Sequence, residues 1–338
     1  MRGVILFNLG GPETLADVRP FLFRLFSDPD IIHIRSALAR NTLAWMIATL
    51  RQRKSRDLYR QIGGGSPLRR ITEGQAAALA ERLAVRGFPT RVYVGMRCWK
   101  PTIDEAVEQI RRDGITQLVA LPLFPQYSVT TTGSCFGYFR AVARRTGLDE
   151  TARISYVDSW YSEPLYTEAM AESIRKTLTG LSADPQRIRL LYSAHSIPAK
   201  YVEEGDPYLQ QTQATVALVN RCLGDAYPSQ LSFQSKIGPV RWLEPSTRAV
   251  IEEFGRNGLE RLVVIPVSFV SDHIETLQEI DILYREVATK AGIREFRRAA
   301  SLNLEPKFID ALGKIALSAF SGGDIPIFHS PRTITDKS

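Results

Sequence analysis

Short apolar runs alternate along this chain with stretches in which apolar residues recur every three or four positions. The runs Val4-Ile-Leu-Phe-Asn-Leu9, Thr90-Arg-Val-Tyr-Val-Gly-Met-Arg97, Leu118-Val-Ala-Leu-Pro122, Arg187-Ile-Arg-Leu-Leu-Tyr192 and Arg261-Leu-Val-Val-Ile-Pro-Val267 predict strands. Near-continuous apolar runs bounded by glycine and polar residues suit strands buried on both faces, as in a parallel sheet. Gln75 to Ala84 predicts a helix, and a helical period resumes after Ser271. Strands alternating with helices describe an α/β protein.

The pattern occurs twice. Trp99-Lys-Pro101-Thr-Ile-Asp-Glu-Ala-Val-Glu leads to Gly114 and a strand, and Trp242-Leu-Glu-Pro245-Ser-Thr-Arg-Ala-Val-Ile-Glu leads to Gly258 and a strand. Pro101, Gly114 and Pro122 recur 144 residues later as Pro245, Gly258 and Pro266. Each unit is a proline-started helix, a glycine stop and a buried strand. Two similar α/β halves facing each other are expected, residues 1–150 and 151–304, with 305–338 packing back on the first.

The second unit's strand runs into Ser268-Phe-Val-Ser-Asp-His-Ile-Glu-Thr-Leu-Gln-Glu279. At about 100° per residue, Asp272, Glu275, Glu279 and Glu286 share one narrow sector, while Leu277, Ile280, Tyr284 and Val287 share another. Asp272-x-x-Glu275 fits a capping box, and a charged stripe opposite an apolar one is ordinarily a solvated face. That reading explains Asp272 and Glu275, but not why like charges continue at i,i+4 to Glu279, where they repel. His195, in Ser193-Ala-His-Ser-Ile-Pro198, leaves the C-terminal end of another strand of the same half. In a right-handed parallel sheet those ends lie on one edge, where ligands bind, so His195 and Glu275 can converge. His33 and His329 have no such setting and read as structural or surface residues.

Gly10-Gly11-Pro12-Glu13 follows the first strand but does not match G-x-G-x-x-G, so a tight turn is expected there and no nucleotide. Gly63-Gly64-Gly65 before Ser66-Pro67 predicts unusual backbone angles or a close approach. Between these loops, residues 19–50 gather Phe21, Leu22, Phe23, Leu25, Phe26, Ile31, Ile32, Ile34 and Leu43-Ala-Trp-Met-Ile-Ala48. The basic run Arg51-Gln-Arg-Lys-Ser-Arg56 follows. Ordinary core helices are one account. The other is an exposed lip, spanning 15–55 at its widest, that grips a greasy ligand with anionic ends or meets a membrane face. Phe124 to Ser134 reads as a hydroxyl-rich loop at a strand's C-terminal edge.

Composition adds bounds. The 338 residues, 44% apolar and 23% charged, are those of an ordinary globular protein with room for two domains. The net charge of +7 is clustered and suits phosphate, carboxylate or anionic lipid equally. No nucleic-acid partner is expected. Cys98, Cys135 and Cys222 are odd in number and far apart, which supports neither a disulfide framework nor a cysteine metal cage. The N-terminus enters a strand at once, and no window approaches the roughly 20 apolar residues of a membrane span. A cytoplasmic protein is expected, with peripheral contact at the inner membrane left open.

One imidazole and several carboxylates without cysteine suit a borderline-hard divalent ion such as Fe(II), held transiently. A four-ligand zinc pattern is absent. His195 equally suits proton acceptance near neutral pH. A serine hydrolase would need a Gly-x-Ser-x-Gly elbow, which does not occur.

Taken in order, Asn8-Leu-Gly-Gly-Pro-Glu-Thr14, Ile62-Gly-Gly-Gly-Ser-Pro67, Pro125-Gln-Tyr-Ser128, Ser193-Ala-His-Ser-Ile-Pro198, Ser235-Lys-Ile-Gly-Pro239 and Ser271-Asp-His-Ile-Glu-Thr276 resemble the ferrochelatase family over nearly the whole chain. That resemblance implies two similar Rossmann-like domains, each a four-stranded parallel sheet flanked by helices, with a porphyrin in the cleft between them. It implies insertion of Fe(II) into protoporphyrin IX to give protohaem. His195 matches the catalytic histidine, which takes protons, binds the metal, or both, and Glu275 matches its carboxylate partner. Asp272, His273 and Glu279 match a polar path for protons or metal. Arg51, Tyr59 and Ser66 match contacts to the propionates, and Tyr127 and Trp242 complete the expected porphyrin contacts. Leu283 stands where the family often has another glutamate. The cysteine-free tail and Val129, where some relatives carry a cluster cysteine, imply no [2Fe–2S] cluster and no other cofactor. Coproporphyrin III, a cobalt-corrin reaction and a non-catalytic tetrapyrrole or iron carrier are the alternatives.

Overall fold

The central strands of the sheets carry apolar residues on both faces, and the two faces enter different cores. The computed structural model describes residues 1–32, 34–181, 184–236 and 240–322. His33, His329, the Ile237-Gly-Pro239 end of one motif and the tail from 323 lie outside the described residues. In β1 (Arg2–Asn8), Val4 and Leu6 join one core while Ile5 and Phe7 join another. The same alternation places Val119 and Leu121 of β3 (Gln117–Pro122) against Leu118 and Ala120. The period of two and double burial are the reasons these runs are uninterrupted by polar residues.

Two four-stranded parallel sheets result, with the same strand order. The first is β2-β1-β3-β4, where β2 is Arg91–Met96 and β4 is Arg153–Tyr156. The second is β6-β5-β7-β8, formed by β5 (Ile188–His195), β6 (Ser229–Gln234), β7 (Arg261–Pro266) and β8 (Glu295–Arg298). This is the expected pair of Rossmann-like units. The repeat extends to single hydrogen bonds. Met96 N–H donates to the Pro101 carbonyl at 2.7 Å, and Phe233 N–H donates to that of Pro245 at 2.9 Å. Thr102 and Ser246 then cap helices Ile103–Arg112 and Thr247–Arg256.

The first sheet reaches beyond the division expected at residue 150, because β4 pairs with β3 from Arg153 onward. Arg153 is exposed and the other three residues are only partly buried, so its run carries a weak apolar signal. Helix Pro306–Ser321 packs on helix Leu68–Val85, on β3 and β4, and on helix Pro164–Leu178. One core spans both sheets, from Val4 and Leu121 to Tyr192, Val263 and Ile265. Buried polar bonds also cross between the halves, including Gln75 Nε2 to Ser271 Oγ at 2.9 Å and Gln126 Nε2 to Thr215 Oγ1 at 3.0 Å.

The segment 15–55 forms helix Val18–Phe26 and the longer helix Ala37–Gln61. Val18, Phe21, Leu22 and Phe26 bury themselves with Ala44, Ala48, Tyr59 and Trp99, so this part of the segment packs as ordinary core helices. Leu38, Trp45, Met46 and Leu50 remain largely exposed on the longer helix. No described helix is long and apolar enough to cross a membrane.

Candidate active site

His195 is the last residue of β5, and Glu275 is the first residue of the helix that follows β7. Because β5 and β7 are hydrogen-bonded neighbours running the same way, their C-terminal ends share an edge. His195 Nδ1 donates to Glu275 Oε2 at 3.0 Å, since a carboxylate oxygen only accepts. The backbone of His195 is held on both sides: its N–H donates to Ser268 Oγ at 2.9 Å, and its carbonyl accepts from Tyr208 Oη at 2.8 Å. Phe269 sets its ring edge-on against the imidazole at 6.2 Å. The His195 side chain stays about 35% exposed.

Electrostatics favours the ionised form of the pair. Burial alone lowers the His195 pKa, but the charge and hydrogen bond of Glu275, with a contribution from Glu279, raise it above the ordinary imidazole value. Burial alone raises that of Glu275, and His195 and His273 together hold it far below the usual carboxylate range. His273 Nδ1 donates to the Ser271 carbonyl at 3.0 Å, and its Nε2 lies 3.4 Å from the same Glu275 oxygen. A proton taken up at that Nε2 therefore sits between imidazole and carboxylate. Among the described residues, His195 Nε2 and Glu275 Oε1 make no hydrogen bond, so both are donor atoms open to a metal ion. No group of three or more His, Cys, Asp or Glu residues there is arranged to hold one.

The helix carrying the acidic stripe is not the expected α-helix. Glu275–Tyr284 is a π-helix, whose hydrogen bonds run i→i+5. Residues five apart therefore approach one another, and Tyr284, packed in the core with Ile280 and Val287 as its apolar sector predicts, also donates Oη to Glu279 Oε1 at 2.9 Å. Glu279 also accepts from Gln234 Nε2 at 2.9 Å, from Ser235 N–H at 3.0 Å and from the Ser235 hydroxyl. Ser235 sits at a φ of 66°, in the left-handed region, with both its N–H and its hydroxyl on one carboxylate.

The capping box does not form. The N-cap is Ile274 with no side-chain cap bond, and Glu275 turns to the histidines. Asp272 turns away from them. Its Oδ1 accepts from Arg298 Nη1 at 3.0 Å, Ser301 Oγ at 2.9 Å and Thr276 Oγ1 at 3.0 Å, and its Oδ2 from Asn303 Nδ2 at 2.8 Å. Burial raises the Asp272 pKa, but Arg298 and these donors outweigh it and hold it below the usual value. Glu286 is exposed.

The expected porphyrin contacts are spread over several elements. Tyr59 is buried, and burial with the nearby charge of Glu275 raises its pKa, which places the phenol within electrostatic reach of the site. Arg51 is exposed, its guanidinium 5.7 Å from the Phe26 ring centroid. Ser66 N–H donates to the Pro12 carbonyl at 2.7 Å, tying the triple-glycine loop to the Gly10-Gly11 turn. Tyr127 N–H donates to Gln211 Oε1 at 2.8 Å. Trp242 is half-buried, and its Nε1 is enclosed without an acceptor among the described residues. Residues 124–134 are a loop only in part, since Val129–Gly133 make a π-helical turn leading into helix Ser134–Thr146. Sequence reasoning missed Ser268, Tyr208, Gln234 and Ser235 as holders of the site. Ser235 and Ser268 lie within stretches the motifs single out, whereas Gln234 and Tyr208 look like ordinary strand and helix residues.

A pair of facing four-stranded parallel sheets with a histidine–carboxylate pair on one sheet edge is a chelatase architecture. The solved structure of SirB from Bacillus subtilis with Fe3+ superposes with a TM-score of 0.56 at 13% identity, over 95% of this chain and 97% of that one. The sirohydrochlorin chelatase SirB from Bacillus subtilis subspecies spizizenii in complex with cobalt gives 0.50 at 14% identity, over 74% of this chain and 89% of that one. At those identities the likeness is one of fold. The ferrochelatase family model matches residues 1–319. A ferrochelatase of Synechococcus sp. (strain JA-3-3Ab) is 52% identical over 92% of this chain and 91% of its own length. One of Gloeobacter violaceus is 50% identical over 93% and 96%. The chain belongs to the ferrochelatase family and is an enzyme of the metal-chelatase class.

Proposed function

We propose that this chain inserts Fe(II) into protoporphyrin IX, releasing two protons and giving protohaem. The observation that supports it most directly is the His195–Glu275 pair. With Nδ1 committed to Glu275, Nε2 keeps its lone pair and can take a pyrrole proton. The imidazolium formed is stabilised by the carboxylate behind it, in keeping with the raised pKa of His195. Fe(II) enters as substrate and is attracted by Glu275 and by Glu279. The four donors on Glu279 make it a stationary negative charge. His273 receives a proton at Nε2 and passes it away from the ring. Asp272 acts as the anchor of this segment rather than a carrier, because each of its oxygens already accepts bonds. Binding energy from the rest of the macrocycle supports distortion of its core, which turns the nitrogen lone pairs outward.

Arg51 and Ser66 are read as propionate contacts, and Tyr59, Tyr127 and Trp242 as ring contacts. Exposed Leu38, Trp45, Met46 and Leu50 favour the greasier protoporphyrin over coproporphyrin III, and they suit peripheral contact with the inner membrane from the cytoplasmic side. The chain is read as cluster-free. Cys98 and Cys135 are buried, and burial pushes the Cys98 thiol up to about 12, unfavourable for thiolate ligation.

The test is absorbance-monitored insertion of Fe(II) or Zn(II) into protoporphyrin and coproporphyrin. His195→Ala is expected to abolish insertion while porphyrin binding survives. Near-normal turnover by that variant would overturn the assignment of His195, and a wild-type protein that binds without catalysed insertion would be a carrier.

A further inference from the structure

A second feature lies at the opposite edge of the second sheet, where its strands begin. A cavity of about 440 Å³ is lined there by Arg187, Arg189 and Arg261 together with Phe254, Leu259 and Glu260. Arg189 and His195 are on the same strand, and six residues at about 3.3 Å each set the cavity roughly 20 Å from the imidazole. It is separate from the candidate active site.

Charge in this cavity is unbalanced. Arg187 and Arg189 form no ion pair among the described residues. Glu260, the carboxylate on the wall, is divided between Arg294 at 3.3 Å and Arg261 at 3.7 Å. Arg261 gives its Nε to Glu295 at 2.9 Å, while its enclosed Nη1 has only the Glu260 carboxylate at 3.7 Å, beyond hydrogen-bond distance, and no acceptor among the described residues. An enclosed charged donor left without a hydrogen bond is costly, and native interiors rarely leave one so. Phe254 and Leu259 supply an apolar wall beside these cations.

The first half provides an internal comparison. Arg189 pairs with Leu262 in register as Gly3 pairs with Leu118, so Gly3 stands where Arg189 does. By the same register Gln117 stands where Arg261 does. There the chain closes its own edge: the Met1 amino group donates to Thr116 Oγ1 at 3.0 Å, and Arg2 Nε to Gln117 Oε1 at 3.3 Å. The arginine cavity is thus not a requirement of the sheet topology.

We propose that this cavity is a second binding site, taking a small organic anion that carries a phosphate group. Planar guanidiniums match phosphate oxygens in pairs, and the Phe254–Leu259 wall receives the organic part. The probes are phenyl phosphate and inorganic phosphate, titrated calorimetrically into the full chain at constant ionic strength. Saturable binding is expected for both, tighter for phenyl phosphate. The Arg187→Gln/Arg189→Gln variant is expected to bind at least tenfold more weakly with an unchanged melting temperature. Arg144→Gln/Arg145→Gln, an equal loss of charge elsewhere, is expected to bind as the wild type does. Absence of saturable binding, undiminished binding by the cavity variant, or equal weakening in the control each overturns the proposal. Equal affinity for the two probes overturns its organic part.

Discussion

Tyr284 donates its hydroxyl to Glu279 across 2.9 Å because the i→i+5 bonding of the π-helix that carries both brings residues five apart onto one side. In an α-helix side chains five residues apart would diverge. Here the Tyr284 ring stays in the core with Ile280 and Val287, while the widened helix lets its hydroxyl serve as a fourth donor for a carboxylate beside the histidine pair. Tyr284→Phe keeps the ring and removes that donor. It is expected to cost about 1.5–3 kcal/mol, the range for a hydrogen bond to a charged group, read by urea unfolding. A larger KM for Fe(II) with kcat little changed would place Glu279 in metal attraction, and an unaltered KM would remove it from that role.

Glu275 sets the pH at which His195 can act as a base. Its charge raises the His195 pKa, so insertion should rise with pH along a limb lying above the ordinary imidazole value of about 6.5. Glu275→Gln removes the charge and leaves burial, which lowers the pKa, so the limb should move to lower pH while the maximal rate drops. The same pair contributes to stability. The raised His195 contributes fully below its unfolded value and loses the contribution as pH rises through its folded value. The depressed Glu275 contributes above its unfolded value and loses it as pH falls. The pair therefore stabilises most between those limits. A pH–rate profile of Zn(II) insertion that does not move in the glutamine variant would count against the pairing.

Asp272 and Arg298 distinguish an anchor from a proton carrier. Both are largely buried and paired at 3.0 Å, and Arg298 also reaches Asp281 at 2.9 Å. Breaking a buried pair from one side costs about 3–5 kcal/mol, reduced here by the remaining Asp281 partner. Asp272→Asn should therefore lower the unfolding midpoint clearly, while the folded fraction keeps most of its insertion rate. Lost activity with unchanged stability would instead make Asp272 part of the proton path.

The triple-glycine loop gives a steric prediction. A Cβ on Gly65 would lie 1.9 Å from the Glu13 carbonyl oxygen, an overlap no rotamer can relieve. Gly63, at a φ of 100°, has no neighbour within 4 Å of an added Cβ, so its substitution meets only backbone strain of about 1–3 kcal/mol. Gly65→Ala should lower the melting temperature more than Gly63→Ala. It should also weaken porphyrin binding, because Ser66 is carried on the same loop. Equal shifts would mean that the loop yields.

Much of this was legible in the residues themselves. Double apolar runs made β1, β3, β5 and β7 readable, and the recurrence of Pro101, Gly114 and Pro122 announced two units of one topology. Placing His195 and the acidic stripe at strand C-termini was enough to bring them to one edge. The short strand β4 was not readable, since an exposed Arg153 and three half-covered residues hardly depart from a polar connection. Arg298 gives no local signal either: in the sequence it is one of two adjacent arginines, Arg297-Arg298, and in the fold it is a buried partner of Asp272 and Asp281.

The sequence by itself determined which segments must leave water and with what period, because burial and strand or helix propensity are properties of neighbouring residues. Motif order over nearly the whole chain determined the family. Tertiary structure alone decided the register of the acidic helix, the turning of Asp272 toward Arg298, and the capture of Glu279 by Gln234, Ser235 and Tyr284. Those outcomes depend on which donors lie within about 3 Å of a carboxylate. Most of those donors lie on elements distant in sequence, and Tyr284 reaches Glu279 only through the i→i+5 register, so no local period encodes them.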